Sequence, residues 1–116
     1  MRVAFTLRSG GVFEATLDDC DAARDFAALL PLELELRDYA NTEKVADLPT
    51  ALRHGDAPNG YAAKAGDITY YAPWGNLAIF HRDFRSAAGL VRLGAFERDV
   101  PPLREQGTLR VRIAAL

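Results

Sequence analysis

Cysteine, histidine and long apolar runs are scarce in this chain of 116 residues. Cys20 is the only cysteine, so the chain cannot form an internal disulfide, which excludes a disulfide-stapled scaffold and a cysteine-based zinc site. The two histidines, His54 and His81, are 27 residues apart and match no metal motif. The sequence therefore predicts no metal and no cofactor.

The sequence predicts no targeting segment and no membrane-spanning segment. The first seven residues are amphipathic and too short for a signal peptide. The longest uncharged stretch near the middle, 68–81, is interrupted by Pro73 and Gly75 and falls short of the ~20 apolar residues of a membrane helix. A net charge of −2 gives no general attraction to nucleic acid or membranes. We expect a cytoplasmic protein that binds neither.

The remaining composition is that of an ordinary globular chain. Hydrophobic residues make up 49% of it and charged residues 26%, which excludes a disordered chain. A chain of this length suits one hydrophobic core and hardly two. We expect residues 1–116 to form a single domain.

Alternation of apolar and polar residues predicts mostly β structure. The predicted strands cover residues 3–7, 12–17, 32–37, 43–48, 67–71, 77–81, 90–96 and 108–114. Gly10 and Gly11 are typical of a tight hairpin turn, and Gly94 inside its strand indicates a bulge or a bend. Seven or eight short strands at hairpin spacing favour a closed barrel over an open sheet, because closure removes exposed edges.

One main helix is predicted after the first hairpin, where apolar residues from Ala22 to Leu30 repeat at helical spacing. Asp18 or Asp19 is expected to cap its first turn, and Pro31 to stop it. Single helical turns are expected at 49–53 and from Pro101. Loops are expected at 38–41, 54–66 and 84–88.

Three segments are distinctive: Asp38–Lys44, Lys64–Phe80 and Ala88–Phe96. Together they resemble the small prokaryotic cyclophilin-like proteins, stand-alone domains of about this length that are largely uncharacterised. The resemblance covers nearly the whole chain and implies an eight-stranded antiparallel barrel of cyclophilin type with flanking helices. The pattern of alternating residues independently predicts a barrel.

The resemblance does not extend to the residues of cyclophilin catalysis. Cyclophilins proper are peptidyl-prolyl isomerases that use an arginine near the prolyl nitrogen and an aromatic pocket for the proline ring. Their phenylalanine–histidine–arginine–isoleucine and glutamine–glycine–glycine–aspartate–phenylalanine segments have no counterpart here. The stretch where they belong, 36–60, is shortened. No catalytic residue is assigned.

Aromatic and polar residues concentrated in turns predict a binding site. The candidate ligand-binding residues are Tyr39, Glu43, Tyr71, Pro73, Trp74 and Asn76. Trp74 either lines a pocket or caps one end of the barrel. Glu43 is a carboxylate at the pocket rim that binds a cation or a hydroxyl, or a surface acid, or a capping residue paired with Thr42. Pockets that combine aromatic rings with an amide are typical of small-molecule or peptide sites.

Three functions fit these observations. The leading hypothesis is a binding module for a small molecule or an extended peptide. The second is a divergent prolyl isomerase whose arginine is Arg37, Arg82, Arg85 or Arg92. The third is a homo-oligomer whose exposed aromatic residues form the subunit contact.

Overall fold

Eight antiparallel strands close into a barrel in the computed structural model, which describes residues 1–116. The elements in chain order are β1 (Arg2–Leu7), β2 (Val12–Leu17), α1 (Asp21–Ala28), β3 (Leu32–Tyr39), β4 (Glu43–Asp47), β5 (Gly60–Ala62), β6 (Asp67–Tyr71), β7 (Asn76–Phe80), β8 (Ser86–Ala88), β9 (Leu90–Phe96), a 3-10 helix (Pro101–Arg104) and β10 (Leu109–Ala115). The order around the barrel is β1-β10-β3-β4-β7-β6-β9-β2. Strands β5 and β8 form a separate two-stranded ribbon. The predicted mainly-β closed barrel is confirmed.

Alternation decides which side chains enter the barrel. In β3, Leu36 is buried inside, and Glu33 and Glu35 between the leucines are exposed. Period-two side chains from the other strands, such as Phe5 and Ile113, complete one continuous apolar core. The single α-helix packs Phe26 against this core. No helix of the structure has the length and apolar character needed to cross a membrane.

Strand β7 departs from this alternation because both of its faces are buried. Leu77 and Ile79 point into the barrel core. Ala78 and Phe80 point outward and belong to a second apolar cluster that includes Val45 of β4. The β5–β8 ribbon and the segment before β8 partly cover this outer cluster. The middle of the outer face of β4 and β7 is therefore apolar.

Two expectations for the connecting segments are wrong. The predicted loops 54–66 and 84–88 contain β5 and β8, which pair with each other across a long stretch of sequence. The predicted helical turn at 49–53 is not helical. There the backbone N–H of Leu52 donates to the hydroxyl of Tyr70 at 3.2 Å, and Arg53 pairs with Asp25. These tertiary bonds satisfy polar groups that a helical turn would otherwise satisfy locally.

The expected helix cap is also wrong. Helix α1 begins at Asp21 after Cys20, which makes no side-chain capping bond. The backbone N–H of Asp21 instead donates to Oδ2 of Asp56 at 3.1 Å, a carboxylate 35 residues away. Asp18 and Asp19 pair with arginine side chains. Asp56, which is distant in sequence, thus accepts the bond that was expected to go to Asp18 or Asp19.

A buried lysine ties the β3–β4 hairpin to the segment before β10. Lys44 is 0% exposed, and its Nζ donates to Asp38 Oδ1 at 2.6 Å and to the carbonyl oxygens of Glu105 and Gly107. Asp38 also accepts a bond from the Gly107 backbone N–H at 2.7 Å. Every donor of the ammonium group therefore has a partner, which is the condition for burying a charge.

We expect Lys44→Met to lower the free energy of unfolding by about 2–3 kcal/mol, since it leaves two carbonyl oxygens unpaired without opening a large cavity. Urea unfolding followed by circular dichroism measures the loss. Lys64→Met is the matched control, because Lys64 is exposed and its ammonium group makes no bond. Equal stability of the two variants would contradict this account.

Candidate functional site

A groove on the outer face of β4 and β7 encloses a cavity of about 320 Å³. The turn between β6 and β7 forms one wall, and residues 84–87, which lead into and begin β8 of the ribbon, form the other. Five aromatic rings line it: Tyr39, Tyr71, Trp74, Phe80 and Phe84. Of the six residues predicted from sequence, the structure places five on this one cavity: Tyr39, Glu43, Tyr71, Trp74 and Asn76.

Pro73 is the predicted residue that does not line the groove. Its ring packs against Gly89, where an added Cβ would lie 2.7 Å from Pro73 Cδ. The expected turn at 72–75 is present, with the N–H of Gly75 donating to the carbonyl of Ala72 at 3.3 Å and Gly75 at φ +65°. Pro73 thus helps to fix the turn that presents Trp74, and contributes no surface to the cavity.

Trp74 is held between two tyrosines and is still 57% exposed. Its ring centroid lies 5.5 Å from that of Tyr39 and 5.3 Å from that of Tyr71, with interplanar angles of 83° and 85°. Such edge-to-face pairs are a favourable geometry for aromatic rings. The indole lies outside the barrel core, so it does not fill a barrel end. The rings of Tyr39, Tyr71 and Trp74 form a cluster on the groove wall, which we call the aromatic corner.

Glu43 places a carboxyl group inside this apolar groove. It begins β4, lies between Tyr39 and Phe80 in the sheet register, and is 8% exposed. Its one hydrogen bond comes from the hydroxyl of Thr42 at 3.2 Å, and it forms no ion pair. Burial raises the pKa of Glu43, and the Thr42 bond opposes this only in part. The carboxyl group retains free acceptor capacity.

Asn76 supplies a second buried polar group. It begins β7 opposite Tyr71, is 5% exposed, and its Oδ1 is buried without a hydrogen-bond partner. Asn76 is four residues from Phe80, the register partner of Glu43, so the two polar positions are about 13 Å apart along the strand. Val45 lies between them on β4. The groove is therefore elongated, with an acceptor towards each end and an apolar middle.

Arg85 is the one cationic residue on the cavity wall. It is exposed, and its guanidinium carbon lies 4.9 Å from the ring centroid of Phe84. The residues predicted from the sequence include Arg85 only as one of four candidate arginines, and they do not include Phe84, Ser86 or Ala87. The signal that indicates them is a Phe–Arg pair in a segment otherwise made of small and polar residues.

Other candidate residues lie elsewhere. Arg92 pairs with Asp18 at 3.0 Å, and Arg37 and Arg82 do not reach the cavity wall. His81 lines a separate cavity of about 330 Å³ near the 3-10 helix. Its Nδ1 has no partner, and burial lowers the pKa of His81.

A larger cavity of about 490 Å³ lies on the outer face of β3 and β10. Its charged side chains are exposed, and Arg110 pairs with Glu35 at 3.1 Å. It contains no buried polar group with unfilled bonding capacity. The aromatic groove is therefore the better candidate, although it is the smaller of the two.

The buried carboxyl group makes stability depend on pH. Because burial raises the pKa of Glu43 in the folded state, ionisation costs stability as pH rises through that pKa, and the cost is absent below the unfolded-state pKa. We expect Glu43→Gln to raise the free energy of unfolding at pH 7.5 and to change it little at pH 3.5. Urea unfolding at both pH values measures this. Glu33→Gln, at an exposed position, is the control; an equal loss of stability at both pH values in the Glu43 variant would contradict the assignment.

Comparison with known proteins identifies the family. The model of a family described as the cyclophilin-like family matches residues 8–114. The chain belongs to the cyclophilin-like family. The match spans β2 to β10 and so includes every residue of the groove. No curated protein matches the sequence significantly.

A solved structure shares the cyclophilin-like fold. The solution structure of the hypothetical protein AF2241 from Archaeoglobus fulgidus superposes with a TM-score of 0.72 at 18% sequence identity. The match covers 98% of this chain and 93% of the archaeal chain. At this identity the likeness establishes the fold and says nothing of a ligand.

Proposed function

We propose that this cyclophilin-like domain is a binding module, and that its outer groove takes a small molecule or a short stretch of extended peptide. The observation that carries the proposal is the combination of an exposed Trp74 with buried, incompletely bonded Glu43 and Asn76 on one cavity wall. Packing alone requires neither an exposed indole nor unpaired buried acceptors.

The cost of these groups supports a ligand. A buried acceptor without a partner costs about 1–3 kcal/mol, which a bound donor recovers. Asn76 Oδ1 is a buried acceptor to which no protein group donates. Aromatic walls with a few converging polar groups are the usual composition of small-molecule sites.

The dimensions restrict the ligand. A cavity of about 320 Å³ is at the lower end of the range for ligand sites. An extended peptide rises ~3.3 Å per residue, so a span of ~13 Å corresponds to about four residues. The groove suits a single small compound or a segment of this length, and is too small for a folded partner.

The proposal is tested by a screen. Saturation-transfer NMR with a library of small polar aromatic compounds and a panel of Xaa-Pro tetrapeptides would detect binders. We expect binders that compete with one another, because they share one groove. Binding by none of them, or binding that is unaffected by changes at Trp74, would overturn the proposal.

A divergent prolyl isomerase is the second candidate, and the position of Arg85 favours it. Isomerisation needs an apolar slot and a donor to the prolyl nitrogen, and Arg85 stands beside the aromatic wall. Exchange spectroscopy on the same peptides measures the activity. This function requires faster cis–trans exchange that Arg85→Ala removes and the control Arg82→Ala keeps. Exchange at the uncatalysed rate would exclude it.

A further inference from the structure

We propose that the groove selects an organic cation with N–H donors, an alkylammonium or arylalkylammonium, whose charged end lies against Glu43. This inference rests on the binding function proposed above and names its ligand class. It derives from the polarity of the cavity wall, which combines buried acceptors with an aromatic corner.

The buried polar atoms on the wall call for a donor. Glu43 has one hydrogen bond and no ion pair, and Asn76 Oδ1 has no partner. The Glu43 carboxylate and Asn76 Oδ1 are both acceptors, so a ligand that bonds to these oxygen atoms must present N–H or O–H groups. A charge-assisted bond to the carboxylate is about twice as strong as a neutral one. An ammonium group supplies both the N–H donors and the positive charge.

The aromatic corner also favours a cation. Trp74 stands nearly perpendicular to both Tyr39 and Tyr71, with ring centroids within 5.5 Å. Aromatic rings attract a cation at their faces, and tryptophan does so most strongly. An anion would face the carboxylate and the electron-rich ring faces together.

The charges around Glu43 leave its own charge dominant. Arg85 lies on the cavity wall but is exposed, so solvent and salt screen its charge, and its guanidinium group already contacts Phe84. Lys44 follows Glu43 on β4 but bonds Asp38 on the opposite face. His81 lines the separate cavity near the 3-10 helix. The remaining titratable wall groups are the hydroxyls of Tyr39 and Tyr71.

Ligand charge and pH are therefore linked. Burial raises the pKa of Glu43, and an ammonium group beside it favours the ionised form. The affinity for a cation should rise with pH through the pKa of Glu43, and the affinity for a neutral compound should not.

Three probes of similar shape test the inference: 2-phenylethylammonium, 2-phenylethanol and 3-phenylpropionate. Trp74 is the one tryptophan of the chain, so its fluorescence excited at 295 nm reports on this groove. At pH 7.5 we expect the ammonium to bind at least tenfold tighter than the alcohol or the carboxylate. Glu43→Gln should reduce this preference to about onefold, chiefly by weakening binding of the ammonium, and the exposed-site control Glu33→Gln should keep it.

The outcomes separate the two proposals. Equal affinity for all three probes would overturn the cation preference and leave the binding function standing. A preference that survives in Glu43→Gln would overturn the role of Glu43. Binding by no probe would overturn the cation inference, and the library screen then decides the binding function separately.

Discussion

Gly94→Ala is expected to lower the free energy of unfolding by more than about 3 kcal/mol, the range of severe overpacking. A Cβ at position 94 would lie 2.9 Å from Cα of Leu17 and still closer to the carbonyl oxygen of Thr16. Both are backbone atoms of β2, so no side-chain rotation relieves the clash. The glycine therefore sets the distance at which β9 and β2 close the barrel.

The same position affects the register behind the groove. The pairing of β9 with β6 shifts beside Gly94, as the predicted bulge requires, so Ile68 pairs with Gly94 and Thr69 with Arg92. Strand β6 continues to Tyr71 on the groove wall. A displaced β9 should therefore also disturb the aromatic corner.

Urea unfolding measures the effect, and Gly55→Ala is its matched control. Gly55 has open space around its Cβ position and no positive φ. Alanine there should be neutral or stabilise by up to about 1 kcal/mol, because it restricts the unfolded chain. If the two variants are equally stable, the close approach of β9 to β2 does not limit the barrel.

The second large effect concerns Trp74. We expect Trp74→Ala to weaken ligand binding by about 30- to 1,000-fold, equivalent to the 2–4 kcal/mol of an aromatic hot spot. The indole forms the aromatic corner with Tyr39 and Tyr71, and no other side chain replaces its surface. The fold should survive, because Trp74 is 57% exposed and lies outside the core.

Titration calorimetry with the tightest compound from the screen measures the loss, and unfolding curves check the fold. Val12→Ala removes another exposed apolar side chain and should bind normally. Normal binding by a folded Trp74→Ala protein would refute the site. Light scattering addresses the third hypothesis, since a change from oligomer to monomer in this variant would make Trp74 a subunit contact.

Much of the barrel is predictable because its strands carry local signals. The leucines of β3 alternate with Glu33 and Glu35, and the core takes every second residue. The turn at 72–75 carries proline and glycine at the positions that its geometry requires. These features depend on neighbours in sequence, so sequence alone specifies them.

The unpredicted features depend on distant partners. The ribbon joins Gly60 to Ala88, two segments with no periodic pattern of their own. At the start of the helix, the backbone N–H of Asp21 donates to Asp56. The backbone N–H of Leu52 donates to the hydroxyl of Tyr70. Phe84 and Arg85 precede β8, so their position on the groove wall depends on the same ribbon. Local sequence patterns do not indicate such long-range pairings.

For the candidate site, aromatic and polar residues in turns predicted six residues, and only the fold explains why five of them lie on one cavity. Tyr39 and Trp74 are 35 positions apart in sequence, and their rings are 5.5 Å apart in the structure. Asn76 Oδ1 is buried and has no hydrogen-bond partner, and this too follows from the side chains that pack around it in the fold.

The most direct test of the account is a map of where a ligand binds. Two-dimensional ¹⁵N–¹H NMR of the labelled protein, titrated with the tightest compound from the screen, provides it. We predict that the largest shifts occur at the Trp74 indole N–H, the Asn76 side-chain amide and the backbone of Tyr71, which share one cavity wall. Shifts centred on Arg110 and Glu35, in the larger charged cavity, would contradict the account.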